Sequence, residues 1–158
     1  QNSVDMTEYD KISETARTDE LTRMLNRRGG SERLMRALEQ GSRENQVVTV
    51  VLYDINELKS VNDRYGHSEG DRLLQYVAAI AKECLGRLDF MYRLSGDEFV
   101  MVFYGRDMKA ADESMKRLLT RAGQERKRQV LWGYHRWVHK YRWKIHCGCD
   151  RKCYVMGH

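Results

Sequence analysis

Proline is missing from all 158 residues. No helix here is broken by a pyrrolidine ring, and no X–Pro isomer exists to divide the fold. Phenylalanine is scarce, at three, so the aromatic content rests mainly on tyrosine. No apolar run approaches the roughly 20 residues that cross a bilayer, and no signal-peptide pattern opens the chain. Repeats and low-complexity tracts are absent, which excludes solenoids and arrays. Cysteines number four. Cys84 falls on the apolar face of a helical pattern, and Cys147, Cys149 and Cys153 crowd the C-terminal end, so no disulfide framework is evident. The composition suits a reduced, cytoplasmic domain.

What remains is ordinary for a soluble chain: 41% hydrophobic, 32% charged, net charge +5. A chain of this length forms one domain and buries enough surface to need no staple. Mild basicity suits an anionic small ligand as well as nucleic acid, and does not choose between them. A chain opening on Gln1 is expected to be a piece of a longer protein.

The most informative stretch is Arg93-Leu94-Ser95-Gly96-Asp97-Glu98-Phe99. It joins two strand-like runs, 90–94 and 99–104, by a small-Gly-acid-acid turn. Adjacent carboxylates at a hairpin tip repel unless a cation or a donor compensates. Upstream, Gln46 to Tyr53 reads as a buried strand that ends at Asp54. Two acidic strand ends side by side make a site for a hard divalent cation such as magnesium. Elsewhere, 6–17 suits the end of an exposed connecting helix, and Thr18-Asp19 offers a cap before Leu21. Asn26 to Gly30 reads as a turn, after which Ser31 caps a helix that Gln40-Gly41-Ser42 stops. Residues 57–65 suit a short helix. Residues 69–85 form a strong amphipathic helix, with Leu73, Val77, Ile80 and Cys84 on one stripe. Met108, Ala111, Met115, Leu118 and Ala122 trace another. Mixed order around a central hairpin favours an α+β domain with a mostly antiparallel sheet flanked by helices.

These residues resemble the GGDEF domain of diguanylate cyclases. The resemblance rests on motifs in sequence order: Asp19-Glu20-Leu21-Thr22 with Asn26-Arg27-Arg28, the run from Asp54 to Asp63, Tyr65-Gly66-His67-Ser68-Glu69-Gly70-Asp71, and Ser95-Gly96-Asp97-Glu98-Phe99, with serine for the first glycine. The family condenses two GTP molecules into cyclic di-GMP and releases pyrophosphate, on a fold similar to nucleotide-cyclase and polymerase palm domains. Each domain holds one GTP, so catalysis needs a homodimer. The resemblance implies 18–158 as the GGDEF domain, with an atypical tail over 129–158. It implies 1–17 as the end of a helix from an absent upstream sensor, which would make this a cytoplasmic domain, with a membrane-bound sensor protein among the parents that the resemblance allows.

Carried over residue by residue, the resemblance implies Asp54, the Ile55 carbonyl and Asp97 as ligands of Mg2+, with Mn2+ as a substitute. Asp97 also matches the position proposed as general base. A metal-bound carboxylate is a poor base, so metal positioning is its other role. Glu98 supports the second metal or the phosphates, and Lys59 meets phosphate charge. Asn62 and Asp71 match the guanine-reading pair. A carboxylate accepts from guanine N1–H and N2–H together, whereas adenine offers no donor at N1. His67 either touches the nucleotide or braces the loop, and Leu58 stands where phenylalanine is common. Nucleic acid is not an expected partner.

Three departures stand out. Many members carry an inhibitory product site, Arg-x-x-Asp, before the hairpin. Here the frame reads Gly86-Arg87-Leu88-Asp89, so Asp89 alone remains. The strand after the long helix, placed at 134–138, carries Arg136 and Trp137 where small residues are usual. In the closing helix, placed from Cys149, Gly157 stands where a phosphate-binding lysine is expected. These departures leave a second reading open: an impaired domain that binds GTP or cyclic di-GMP as a regulatory module.

Overall fold

The computed structural model describes residues 16–55, 58–128 and 141–147. Eight elements follow in order: α1 (Arg27–Glu44), β1 (Val48–Ile55), α2 (Leu58–Tyr65), α3 (His67–Glu83), β2 (Phe90–Arg93), β3 (Glu98–Tyr104), α4 (Met108–Arg128) and β4 (Tyr141–Cys147). The strands form one antiparallel sheet in the order β2-β3-β1-β4. This is the α+β architecture that the pattern predicts.

Alternation along the strands sorts the core into two layers. Val51, Tyr53, Ile55, Met91, Phe99, Met101 and Phe103 point to one face, under α2, α3 and α4. Phe90, Tyr92, Val100 and Val102 point to the other, beneath Leu34, Ala37 and Leu38 of α1. Tyr53 stacks on Phe99 with ring centroids 5.3 Å apart, a contact worth about 0.5–1.5 kcal/mol beyond its burial. The stack lies on the rung next to the Asp54–Glu98 pair, so the rigid core reaches the end of the sheet where the acids stand.

The α1 boundaries differ from the sequence expectation. The helix starts at Arg27, not after Ser31, because the Asn26 side chain accepts from the Gly29 N–H and caps it. Gly30 then packs directly against the Tyr92 ring, so it serves close approach to the sheet rather than a turn. The helix also runs past Gly41, which abuts Val48, and ends at Asn45 in a left-handed cap (φ 52°). Residues 16–26, just before it, form no helix. Asp19 accepts from the Thr22 N–H and hydroxyl, Thr18 bridges Leu25, and the chain folds back along β2, where Arg93 N–H donates to Leu25 C=O at 2.9 Å.

The strand beside β1 lies at Tyr141–Cys147, with Trp143 opposite Tyr53. The expected strand at 134–138, with Arg136 and Trp137, the closing helix with Gly157, and most of the connecting helix at 1–17 lie outside the described residues.

Candidate functional site

The site forms where β1 and β3 end together. Asp54 is the Cα partner of Glu98, and the Ile55 N–H donates to the Asp97 carbonyl at 3.0 Å. Asp54, Ile55 and Asp97 therefore occupy adjacent rungs, where facing backbones stand about 5 Å apart. Asp54 Oδ1 is buried and has no hydrogen-bond partner. A buried carboxylate oxygen left without a donor is costly, and a bound cation would relieve that cost. Among the described residues no three His, Cys, Asp or Glu side chains cluster as metal ligands. What the end of the sheet offers instead is the Asp54 and Asp97 carboxylates and the Ile55 carbonyl, a set that ligand oxygens would have to complete. That set suits Mg2+, which keeps few protein ligands.

The hairpin tip resolves its own charge problem. Ser95 Oγ donates to Glu98 Oε2 at 2.6 Å, so the serine that replaces the first glycine supplies a donor to one of the two adjacent acids. Leu94 and Ser95 N–H groups both donate to Glu98 C=O, at 2.9 and 3.3 Å. Gly96 has no neighbour within 4 Å of where a Cβ would stand. Its carbonyl is held by Arg93, whose Nε and Nη2 lie 3.1 and 2.6 Å away. The third guanidinium nitrogen reaches Asp19, at 3.2 and 3.3 Å from its two oxygens. Burial pushes the Asp19 carboxyl up, but the Thr22 and Arg93 contacts outweigh it and hold the group below its usual range. Asp19 and Arg93 thus fasten the N-terminal loop to the hairpin tip. The sequence offered Asp19 as a cap but gave no sign of its pairing with Arg93; an Asp–Arg pair far apart in sequence gives no signal before the fold is known.

The second half of the site lies on α2 and α3. Gly70 is buried where these helices meet, and Asn62 lies against it: a Cβ on Gly70 would overlap Asn62 Oδ1 and stand 2.8 Å from its Cγ. Asn62 is thereby placed beside the residue that precedes Asp71. Asn62 Oδ1, like Asp54 Oδ1, is buried without a partner. Asp71 is exposed and lies beyond the first turn of α3, where Glu69 is the acid. Glu69 pairs with Arg72 at 3.0 Å. The acid that the helix dipole favours here is therefore Glu69 rather than Asp71. Lys59 and His67 are exposed on the same pair of helices, while Leu58 is half-buried and packs on the core. Among the described residues Lys59, Asp71 and Asp97 make no ion pair. Gly70 is a residue the sequence reading quoted without a function; its signal was a glycine inside an otherwise continuous helical pattern.

Asp89 behaves differently. It is buried at the turn before β2 and is bonded within the fold. A separate cavity of about 630 Å³ between α3 and α4, lined by Glu83, Cys84, Lys116, Arg117, Thr120 and Arg121, contains none of the expected site residues.

Comparison with known proteins now decides the family. Residues 16–134 match the family described as diguanylate cyclase, GGDEF domain. The chain belongs to the GGDEF family. Diguanylate cyclase DgcP of Pseudomonas aeruginosa is 33% identical over 103 residues, which cover 65% of this chain and 15% of that protein. Cyclic di-GMP phosphodiesterase PdeB of Shewanella oneidensis is 31% identical over 109 residues, covering 69% of this chain and 12% of the relative. This GGDEF chain spans only a minor part of these two curated relatives. The coiled coil and GGDEF domain of DgcB from Caulobacter crescentus, solved with c-di-GMP, superposes with a TM-score of 0.78 at 20% identity. The match covers 94% of this chain and 78% of that one, and establishes the fold. GGDEF cyclases as a family make cyclic di-GMP and normally use a divalent metal.

Proposed function

We propose that this GGDEF domain is a diguanylate cyclase that condenses two GTP into cyclic di-GMP and releases pyrophosphate. The observation that carries this reading is the pair of orphaned buried acceptors, Asp54 Oδ1 and Asn62 Oδ1. Each stands at a family position for substrate or metal, and each lacks an internal partner. Buried polar groups are left without a partner only rarely. An exchangeable ligand is the economical explanation for both.

In this reading Asp54, the Ile55 carbonyl and Asp97 hold Mg2+, with Mn2+ able to replace it. The bound ion supplies charge neutralisation and orientation of the triphosphate. Asn62 and Asp71 hold the guanine edge, and the carboxylate at 71 rejects adenine because adenine has no N1 donor. Lys59 lies on α2, near enough in the chain to serve phosphate charge. His67 and Leu58 border the nucleotide. Asp97 positions the metal and accepts from the attacking 3′-hydroxyl, and Glu98, steadied by Ser95, supports the phosphate surroundings. Catalysis needs two such domains face to face, brought together by an upstream sensor through the segment at 1–17, with 18–158 as the catalytic unit.

The test is turnover by a forced dimer, since an isolated domain lacks the effective concentration that catalysis needs. Fused to a dimerising coiled coil and given GTP and magnesium, the domain is expected to yield pyrophosphate and cyclic di-GMP. Saturable GTP binding with no product, at any protein concentration, would instead make it a regulatory nucleotide-binding module.

A further inference from the structure

The turn between α3 and β2 departs from its expected role in a way that can be assigned to one residue. The Asp89 side chain is 2% exposed. Its Oδ2 accepts from the Gly86 N–H at 2.6 Å and lies 3.1 Å from Arg106 Nη2. Its Oδ1 accepts from the Tyr104 N–H at 3.0 Å. Both oxygens are thus engaged within the fold, and the side chain is all but closed to solvent. Arg106 comes from the loop after β3, and several contacts fix it. Its backbone carbonyl accepts from Thr49 Oγ1 at 2.7 Å. Its Nη1 donates to Ser114 Oγ at 3.2 Å. Its guanidinium lies 5.6 Å from the centroid of the Phe103 ring. A Cβ on Gly86 would stand 2.5 Å from Arg106 Nη2 and 2.8 Å from Asp89 Oδ2. The absent side chain at 86 and the guanidinium of Arg106 therefore compete for one space.

We propose that Arg106 is an internal occupant of the Arg-x-x-Asp position: it neutralises Asp89 in cis, fills the space over Gly86, and so closes this turn to a guanine-bearing dinucleotide. The proposal rests on reading the chain as a producer of cyclic di-GMP, and gives that producer no product brake at this turn. A guanidinium donated from within does what a ligand-facing arginine at 86 would do, but it consumes the Asp89 oxygen that a guanine N–H would need. Gly86 and Arg106 are then a matched pair: a side chain at one excludes the other.

The test is equilibrium dialysis of labelled cyclic di-GMP against the purified chain, with excess non-hydrolysable GTP analogue to fill the nucleotide cleft. The wild-type chain is expected to show no analogue-resistant binding. The double variant Gly86→Arg with Arg106→Ala moves the cation to the other partner and frees Asp89 Oδ2. It is expected to gain analogue-resistant binding by about tenfold or more, the effect of one charge-assisted contact. Saturable, analogue-resistant binding by the wild type that Asp89→Ala abolishes overturns the proposal. So does a double variant with an unchanged melting temperature and no gain. Should the double variant not fold, the wild-type titration decides alone, binding against the proposal and its absence for it. Failure of the cyclase reading shows elsewhere, as missing pyrophosphate from the forced dimer, and leaves this titration readable.

Discussion

Gly70→Ala separates stability from nucleotide recognition. Gly70 sits inside α3, where alanine is favoured over glycine by about 1 kcal/mol. The added methyl overlaps Asn62 Oδ1 and stands 2.8 Å from its Cγ, so the whole carboxamide has to swing away about χ1. The Oδ1 atom is already unpartnered, so its displacement forfeits no internal hydrogen bond. The fold should therefore be unchanged or more stable, with a melting temperature up to about 2–4 °C higher. The recognition cost runs the other way. Asn62 can no longer lie beside Asp71, and two hydrogen bonds to the base at about 1–1.5 kcal/mol each are forfeited. GTP affinity should fall by roughly 30- to 150-fold. Calorimetric titration with a non-hydrolysable GTP analogue, alongside thermal melts, reads both effects. Asn62→Ala should cost a similar amount, and the double variant little more than either, because both changes remove one interaction. Wild-type affinity in Gly70→Ala, together with a loss in Asn62→Ala, would refute the placement of Asn62 by Gly70.

Three further outcomes follow from the contacts around the site. Arg93→Ala removes three nitrogen contacts that tie Gly96 and Asp19 together; it should destabilise the domain by about 1.5–3 kcal/mol and cut cyclase turnover at least tenfold with GTP affinity nearly kept, measured by denaturation and single-turnover assay. The lowered Asp19 carboxyl stabilises the fold above its unfolded value of about 3.9 and loses that contribution as pH falls through the lower folded value; acid unfolding curves of wild type and Asp19→Asn should differ at neutral pH and converge at the acid end. Tyr104 donates to Glu44 Oε2 at 2.5 Å and its phenol is pushed up to about 12, chiefly by that hydrogen bond; ultraviolet titration of the wild type should contain a late-ionising component that Glu44→Gln brings back toward 10.

Local chemistry made much of this fold legible. The hairpin, the buried β1 strand and the α3 stripe each carry a periodicity of their own, and all three stand where the pattern put them. The α1 start was misread because Gly29 and Gly30 look like a turn when the Tyr92 ring that packs on Gly30 is out of sight. The same blindness hid Arg93 and Arg106: each acts through a partner distant in sequence, Asp19 in one case and Asp89 in the other. Asp89 matched a motif by position, yet its oxygens are bonded to Gly86, Tyr104 and Arg106, a commitment that spacing cannot reveal. Asp54 and Asp97 were legible as candidates because two carboxylates beside buried strands need a compensating charge.

The most direct measurement is electron paramagnetic resonance of Mn2+ titrated into the chain with a non-hydrolysable GTP analogue. The expected result is saturable Mn2+ binding that needs the nucleotide, is displaced by Mg2+, and is lost in Asp54→Ala and Asp97→Ala alike while both variants stay folded. Binding that survives either substitution would mean that the two aspartates do not share an ion, and the proposed cyclase site would be wrong.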